Sequence, residues 1–115
     1  MNLRQIAEAL GLDNLTTELP MEEAGSVDKA HASDLLSDVL SNAPAGGVLI
    51  TIQVHMNVVA VALHAGLAAV VFASGMRPPE DVRARAAAEK ISLFATREST
   101  FDVAGKLYAL GLRGK

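Results

Sequence analysis

The sequence predicts an α/β domain, a three-layer α/β/α sandwich with a mostly parallel central sheet. The first observation is that no Lys, Arg, Asp or Glu occurs from Val39 to Met76. Within this stretch, Val48–Ile52 and Leu67–Ala73 are almost entirely apolar, as expected for strands of a parallel sheet that helices cover on both faces. The second observation is that strand-like and helix-like segments alternate along the chain, which is the order of parallel βαβ units.

Length and composition limit the class of protein. At 115 residues the chain is predicted to be one domain, residues 1–115, with an aliphatic core because it has three Phe, one Tyr and no Trp. The net charge of -3 argues against a nucleic-acid surface, which needs clustered Lys and Arg. The chain has no cysteine, which excludes disulfides and thiolate sites. This is typical of a reducing compartment, so we expect a cytoplasmic protein.

A membrane-spanning segment is the alternative interpretation of the uncharged stretch. Val54–Ala73 is long enough, because about 20 mostly apolar residues suffice. However, no cluster of Lys or Arg flanks it to set an orientation, and breakers and polar residues divide the stretch into short apolar pieces. These residues are Pro44, Gly46, Gly47, Gln53, His55, Asn57 and Gly66. We therefore predict the buried centre of a sheet and no membrane partner.

The N-terminal part of the chain predicts two helices and two short strands. Leu3, Ile6 and Leu10 recur at helical spacing, which indicates an amphipathic helix and not the apolar core of a signal peptide. Thr and apolar residues alternate before Pro20, as is typical of an edge strand. In chain order the elements are a helix over Met1–Leu10 that Gly11 ends, an edge strand over Leu15–Leu19, a turn at Glu22, Glu23 and Gly25, a strand over Ser26–Ala32, and a helix from an N-cap at Ser33 to about Asn42.

The rest of the chain predicts three buried strands, each followed by a helix. Two parallel strands need a crossover of about a dozen residues, so a short buried helix is expected between the first two despite its β-branched residues. The helix that begins at Pro79 has acids early and bases late, which matches the helix dipole. The strands are Val48–Ile52, Leu67–Ala73 and Ile91–Ala95; the helices are Val58–Ala65 with an N-cap at Asn57 and an end at Gly66, Pro79 to Lys90, and a helix with an N-cap at Ser99, Asp102 three residues on, and an end at Gly111.

Small polar side chains gather where the predicted parallel strands end. The carboxyl ends of such strands meet at one sheet edge, where helix N-termini also point and where ligands collect. We therefore predict a pocket for a small anionic metabolite or a nucleotide there, with Arg77 and Arg97 as the nearest cations. The candidate ligand-binding residues are Ser33, Asp34, Gln53, His55, Asn57, Ser74, Gly75, Thr96 and Ser99.

Structural roles also explain several of these residues. Ser33, Asn57 and Ser99 are each explained as N-caps worth about 1 kcal/mol, and His55 as a loop histidine. The three histidines lack the spacing of a metal site, and no cofactor is indicated. The sequence contains no Walker-type phosphate loop, no dinucleotide-binding glycine motif and no nucleophile elbow.

Four segments carry a resemblance to a known family: Ser33–Val39, Ile50–His55, Asn57–Ala62 and Ser99–Tyr108. They resemble small stand-alone proteins of the DRTGG-domain group, and the resemblance covers the range from about residue 3 to residue 110. The resemblance implies the α/β/α fold of the N-terminal domain of HPr kinase/phosphorylase. It also implies a regulatory and dimerising module, not a catalytic one, since such domains accompany CBS domains in regulated pyrophosphatases. The Asp-Arg pair of the family name is replaced at His55-Met56-Asn57.

Three functional hypotheses follow. The leading one is a cytoplasmic, homodimeric regulatory or ligand-sensing domain. The second is a small enzyme in which His55 acts as general base, assisted by Asp34 or Ser33. The third is an interaction module that joins partners through a helix face or an apolar patch. A dimer that buries Val58–Ala65, with His64 at its centre, would combine the first and the third.

Overall fold

The computed structural model describes residues 1–21 and 25–115. In this part of the chain, helices and short strands alternate after an N-terminal helix and strand. Among the described residues, no helix is both long and apolar enough to cross a membrane. The elements are α1 (Leu3–Leu10), β1 (Asp13–Asn14), β2 (Ala30–Ala32), α2 (Leu36–Asn42), β3 (Val48–Thr51), α3 (Met56–Ala65), β4 (Ala69–Phe72), α4 (Glu80–Ala88), β5 (Ser92–Ala95) and α5 (Thr100–Ala109).

The strands form one sheet in the order β1-β5-β4-β3-β2. Strands β2 to β5 are parallel and adjacent in chain order, and β1 pairs with β5 in the antiparallel direction. Right-handed crossovers between neighbouring strands that progress in one direction place every connecting helix on the same face. Accordingly α2, α3 and α4 share one face of the sheet, and α1 and α5 cover the other. The predicted three-layer α/β/α sandwich is confirmed.

The three central strands, β3, β4 and β5, are buried on both faces, as the uncharged stretch predicted for the first two. Successive residues point to opposite faces: Leu49 packs with α2, α3 and α4, while its neighbour Ile50 packs with α1 and α5. Phe72 and Phe94 are the largest fully buried side chains, one on each face. Each buried side chain of this size contributes about 1.5–3 kcal/mol, and these strands form the centre of the core between the two helical layers.

The predicted edge strand at Leu15–Leu19 is wrong. The edge strand is β1, directly before it, and the chain turns after Asn14 because the Asn14 Oδ1 atom accepts a hydrogen bond from the Thr16 backbone N–H at 3.0 Å. Thr16 is buried, and its Oγ1 atom accepts from the Leu93 backbone N–H at 3.0 Å. A side-chain hydrogen bond of Thr16 thus takes the place of the backbone strand pairing that the alternation of Thr and apolar residues predicted.

The predicted strand at Ser26–Ala32 is shorter than expected. Only Ala30–Ala32 form β2, and the C-terminal segment pairs with the residues before it. The Ala30 N–H donates to the Arg113 carbonyl at 2.9 Å, and the Arg113 N–H donates to the Asp28 carbonyl at 3.1 Å. These bonds cover part of an otherwise open sheet edge. The predicted turn at Glu22 and Glu23 lies outside the described residues.

The end of α4 holds a non-glycine residue in the left-handed backbone region. Lys90 has φ 62°. The helix ends there because the Ile91 N–H donates back to the Ala86 carbonyl at 2.9 Å, which is the bond pattern of a left-handed helix terminus. Glycine adopts this conformation without steric cost, whereas a side chain does not.

We expect Lys90→Gly to raise the free energy of unfolding by about 0.5–1 kcal/mol, because glycine removes the strain of the positive φ. Urea unfolding followed by circular dichroism measures this change. Lys90→Ala is the matched control, since it removes the charge and keeps a Cβ atom. Equal stability of the two variants would contradict the explanation by strain.

Candidate functional site

Eight of the nine predicted site residues lie in the four loops that follow β2, β3, β4 and β5, and the ninth, Asn57, lies in the first turn of α3. Because these strands are parallel, the loops meet along one edge of the sheet. The hydrogen bonds divide them into two groups. Asp34 and Gln53 belong to one group, after β2 and β3, whereas Ser74, Gly75 and Thr96 belong to the other, after β4 and β5.

Asp34 links the first two loops. Its Oδ1 atom accepts from the Thr51 hydroxyl and from the Ile52 N–H, both at 2.8 Å. The Gln53 side-chain amide donates to the Asp34 carbonyl at 3.2 Å. Thr51 is fully buried at the end of β3, so the Asp34 carboxylate satisfies a hydroxyl that has left water. This group is occupied by structural hydrogen bonds.

The predicted helix caps are right at one position and wrong at two. Ser99 caps α5, and its Oγ atom accepts from the Asp102 N–H at 3.1 Å. Ser33 does not cap α2, because Leu35 holds that position and Ser33 instead accepts from the Leu35 N–H at 3.2 Å. Asn57 does not cap α3. The cap is His55, whose Nδ1 atom accepts from the Asn57 N–H at 3.1 Å.

The loop after β4 is built around a tight turn. Ser74 and Gly75 both have positive φ, 59° and 76°, and the Met76 N–H donates to the Ala73 carbonyl at 3.1 Å, as in a type I′ turn. The Ser74 N–H donates to the Glu98 carbonyl at 2.7 Å, and the Gly75 N–H donates to the Thr96 carbonyl at 2.9 Å. The loop after β5 therefore holds Ser74 in its strained conformation.

These two loops flank the topological switch point of the sheet. The chain leaves β4 toward α4 on one face and leaves β5 toward α5 on the opposite face. Ligands of open α/β sheets bind in the crevice that such a divergence opens. A cavity of about 240 Å³ lies at this point, and we call it the switch-point cavity. Its lining residues are Asp13, Gly75, Arg77, Ala95, Thr96 and Arg97.

The switch-point cavity combines two cations with one carboxylate. Arg77 forms an ion pair with Asp13, and the side chains of both are more than half exposed. Such exposed pairs are worth about 0–1 kcal/mol, so a ligand can exchange them easily. Arg97 is exposed, and its guanidinium has no hydrogen bond or ion pair to residues 1–21 or 25–115. Arg97 is thus an available partner for an anion.

Sequence reasoning placed only part of this cavity. Of the nine predicted residues, Gly75 and Thr96 line it, whereas the other seven do not. Arg77 and Arg97 were recognised as the nearest cations. Asp13 was missed because it lies on β1, which reaches this edge by antiparallel pairing with β5, and no local pattern marks that pairing.

A larger cavity, of about 640 Å³, lies at the opposite edge of the sheet. It borders the amino ends of the strands, where carbonyl-rich helix C-termini point and anions are not favoured. Its charged residues are Glu18 and Lys90, and Glu18 is already bound to Arg83 at 3.0 Å. Within residues 1–21 and 25–115, no group of three or more His, Asp or Glu side chains could hold a metal ion.

The geometry does not favour the enzymatic hypothesis. The Nδ1 atom of His55 already accepts the capping hydrogen bond, and the side chain is exposed. His55 lines neither the switch-point cavity nor three other cavities of the described chain. The Asp34 oxygen that was expected to assist it is bound to Thr51 and Ile52 instead.

Comparison with solved structures identifies a protein of the same fold. The chain resembles the CBS and DRTGG domains of the regulatory region of Clostridium perfringens pyrophosphatase, in a crystal structure with the activator diadenosine tetraphosphate. The TM-score is 0.70 at 14% sequence identity, over 91% of this chain and 45% of that one. The chain has a DRTGG-like fold. No protein-family model matches its sequence, and no curated protein does.

A second polar cluster of this DRTGG-like domain lies between β2 and α2. His31 Nε2 lies 2.8 Å from Asp38 Oδ2, and the Asn42 side-chain amide donates to Asp38 Oδ1 at 2.8 Å. The hydrogen bond from Asn42 lowers the pKa of Asp38 most, followed by those from His31 and Ser33. Together they bring this pKa to about 2. The cluster fixes α2 to the edge strand β2.

We expect Asp34→Ala to lower the free energy of unfolding by about 1–3 kcal/mol, because the Thr51 hydroxyl and the Ile52 N–H lose their shared acceptor. Asp34→Asn keeps an acceptor oxygen and should lose less. Urea unfolding measures both. Asp28→Ala is the control, because Asp28 is exposed. An Asp34→Ala protein as stable as wild type would contradict the structural role.

We expect the cluster of His31, Asp38 and Asn42 to stabilise the fold above about pH 4 and to lose this contribution as the pH falls toward about 2. The unfolded carboxyl has a pKa near 3.8 and the folded one a pKa of about 2, so the unfolded chain takes up the proton first. The urea midpoint of Asp38→Asn should therefore depend less on pH in this range. Asn42→Ala should raise the Asp38 pKa, as measured by NMR titration; an unchanged value would refute this cause.

Proposed function

We propose that this chain is a regulatory ligand-binding module that takes up a small phosphate-bearing molecule, such as a nucleotide, in the switch-point cavity. The observation that carries the proposal is the arrangement of Arg77, Arg97 and Asp13 around one polar cavity at the switch point. Arginine binds phosphate oxygens through charge-assisted, often bidentate, hydrogen bonds. A carboxylate accepts hydrogen bonds only, so Asp13 suits the hydroxyl or amino groups of the same ligand.

The presence of Asp13 favours a nucleotide over inorganic phosphate. In the free protein Asp13 pairs with Arg77. A phosphate bound there competes with this carboxylate and is repelled by it, whereas a ligand that also carries donor groups can satisfy Asp13 while its phosphate binds Arg97. The regulatory region that contains a domain of this fold, together with CBS domains, was crystallised with the activator diadenosine tetraphosphate, which supports a nucleotide as the ligand of this chain.

A regulatory role also agrees with the hydrogen bonds that the polar side chains of these loops already make. Asp34, Thr51 and Gln53, after β2 and β3, are engaged in structural hydrogen bonds, and the carboxylate that lines the cavity, Asp13, is paired with Arg77. The binding roles of Ser33, Asp34, Gln53, His55, Asn57, Ser74 and Ser99 stay predictions, as do the cytoplasmic location and the homodimer. This module spans 45% of the pyrophosphatase regulatory region that it resembles.

We expect Arg97→Ala to weaken nucleotide binding by roughly tenfold or more, because a charge-assisted hydrogen bond to phosphate is lost. Isothermal titration calorimetry with ATP, diadenosine tetraphosphate and inorganic phosphate measures the affinities. Arg85→Ala is the matched control, since Arg85 is an exposed arginine of α4 that pairs with Glu89. Absence of binding across the three probes, or equal affinity of Arg97→Ala and wild type, would reject the proposal.

Asp13→Ala separates the two ligand classes. We expect it to strengthen binding of inorganic phosphate, because Arg77 is freed and a negative charge is removed. It should weaken binding of a nucleotide whose donor groups Asp13 accepts. If both affinities change in the same direction, Asp13 does not distinguish a nucleotide from inorganic phosphate.

A further inference from the structure

The outward face of α5 carries two exposed aromatic side chains. Phe101 is 84% exposed and Tyr108 is 61% exposed. The chain has three Phe and one Tyr, and the other two, Phe72 and Phe94, are buried. Residues 101, 105 and 108 lie on one side of a helix. We call Phe101, Gly105 and Tyr108 the α5 face. Large exposed aromatic groups on one face mark an interaction surface.

The Tyr108 side chain is held in place beside a small cavity. The guanidinium of Arg113 lies 3.7 Å from the centroid of the Tyr108 ring, and Arg113 Nη1 donates to the Tyr108 carbonyl at 2.9 Å. A side chain that is already ordered loses less entropy when a partner binds. A small, mainly apolar cavity of about 130 Å³ adjoins the ring. Its apolar lining includes Ala30, Ala32, Ile50, Ala104, Leu107 and Leu112.

Gly105 stands at the middle of this face without a reason in the isolated chain. A glycine inside a helix is less stable than an alanine. A Cβ atom added to Gly105 would have no atom of the described chain within 4 Å, and Gly105 is not among the glycines of positive φ. The absence of a side chain lets the backbone of a second helix come close.

The charges along α5 complement a second α5 that runs in the opposite direction. Asp102 lies in the first turn of the helix, and Lys106, which also pairs with Glu98 of its own chain, lies in the last turn. Arg113 and Lys115 follow the helix. In an antiparallel pair the acidic start of one helix meets the basic end of the other, whereas a parallel pair would place like charges together. This pattern favours another copy of this chain as the partner.

We propose that the α5 face is the surface on which a second copy of this chain docks, with the two α5 helices antiparallel about a two-fold axis near Gly105. Phe101 and Tyr108 are separated by seven residues, a rise of about 10.5 Å. The two-fold axis therefore brings Phe101 of each copy to the cavity beside Tyr108 of the other, as an isologous interface requires. This assigns a surface to the predicted homodimer and does not depend on ligand binding in the switch-point cavity.

The surface predicted from the sequence, Val58–Ala65 with His64 at its centre, fits a second copy less well. α3 has no Asp, Glu, Lys or Arg to set the direction of a partner helix. Its large exposed apolar side chain is Leu63, at 48%, and it has no aromatic residue. α3 is therefore the alternative surface that the experiment must exclude.

Sedimentation velocity over a range of concentrations tests the proposal. The wild type should dimerise, and Phe101→Glu should raise the dissociation constant by roughly thirtyfold or more, as loss of an aromatic anchor does. Leu63→Glu, the matched change on α3, should leave it unchanged. A wild type that stays monomeric at its highest soluble concentration would overturn the proposal, and so would a dimer that Leu63→Glu abolishes.

A second experiment covers the case in which Phe101→Glu fails to fold by circular dichroism. The chain has no cysteine, so Gly105→Cys introduces a unique thiol at the expected two-fold axis, where the two Cα atoms come within the roughly 4.4–6.8 Å that a disulfide spans. Mild oxidation should give a covalent dimer. Ala60→Cys on α3 is the matched control and should stay monomeric; cross-linking through Ala60→Cys and not through Gly105→Cys would overturn the proposal.

Discussion

The structure depends on the burial of β3, β4 and β5 on both faces. Their residues are uncharged and almost wholly inaccessible, so helices must cover each side of the sheet. The three crossover helices all lie on one face, because neighbouring parallel strands with right-handed connections allow no other arrangement. The opposite face is left to α1 and α5. The reversal of direction after β5 is a consequence of this requirement, and the reversal opens the switch-point cavity.

The parts of the fold that depend on composition over several residues were predictable. Three apolar strands and the helices between them appear within one or two residues of their observed bounds, since burial on both faces leaves a continuous apolar run. The parts that depend on a partner distant in sequence were not. β1 exists through pairing with β5, and Thr16 leaves the ladder because its hydroxyl meets the Leu93 N–H.

The site shows the same division. Parallel strands guarantee that their following loops share an edge, so the location of the polar residues was predictable. Which loops meet was not, because this is decided by individual hydrogen bonds such as those of Asp34 and Ser74. The position of each helix cap also depends on where the chain leaves the preceding strand. His55 provides the capping acceptor one residue before Met56, the start of α3, although Asn57 is the commoner residue type for that role.

The two ends of the chain meet at one place. The Met1 carbonyl accepts a hydrogen bond from the Val27 N–H at 2.6 Å, and the Arg113 N–H donates to the carbonyl of Asp28, the next residue, at 3.1 Å. Domains whose ends are adjacent tolerate insertion and circular permutation. A longer polypeptide can therefore enter and leave this fold at a single point beside β2, and a pull on both ends would load that junction first while the central strands stay unstressed.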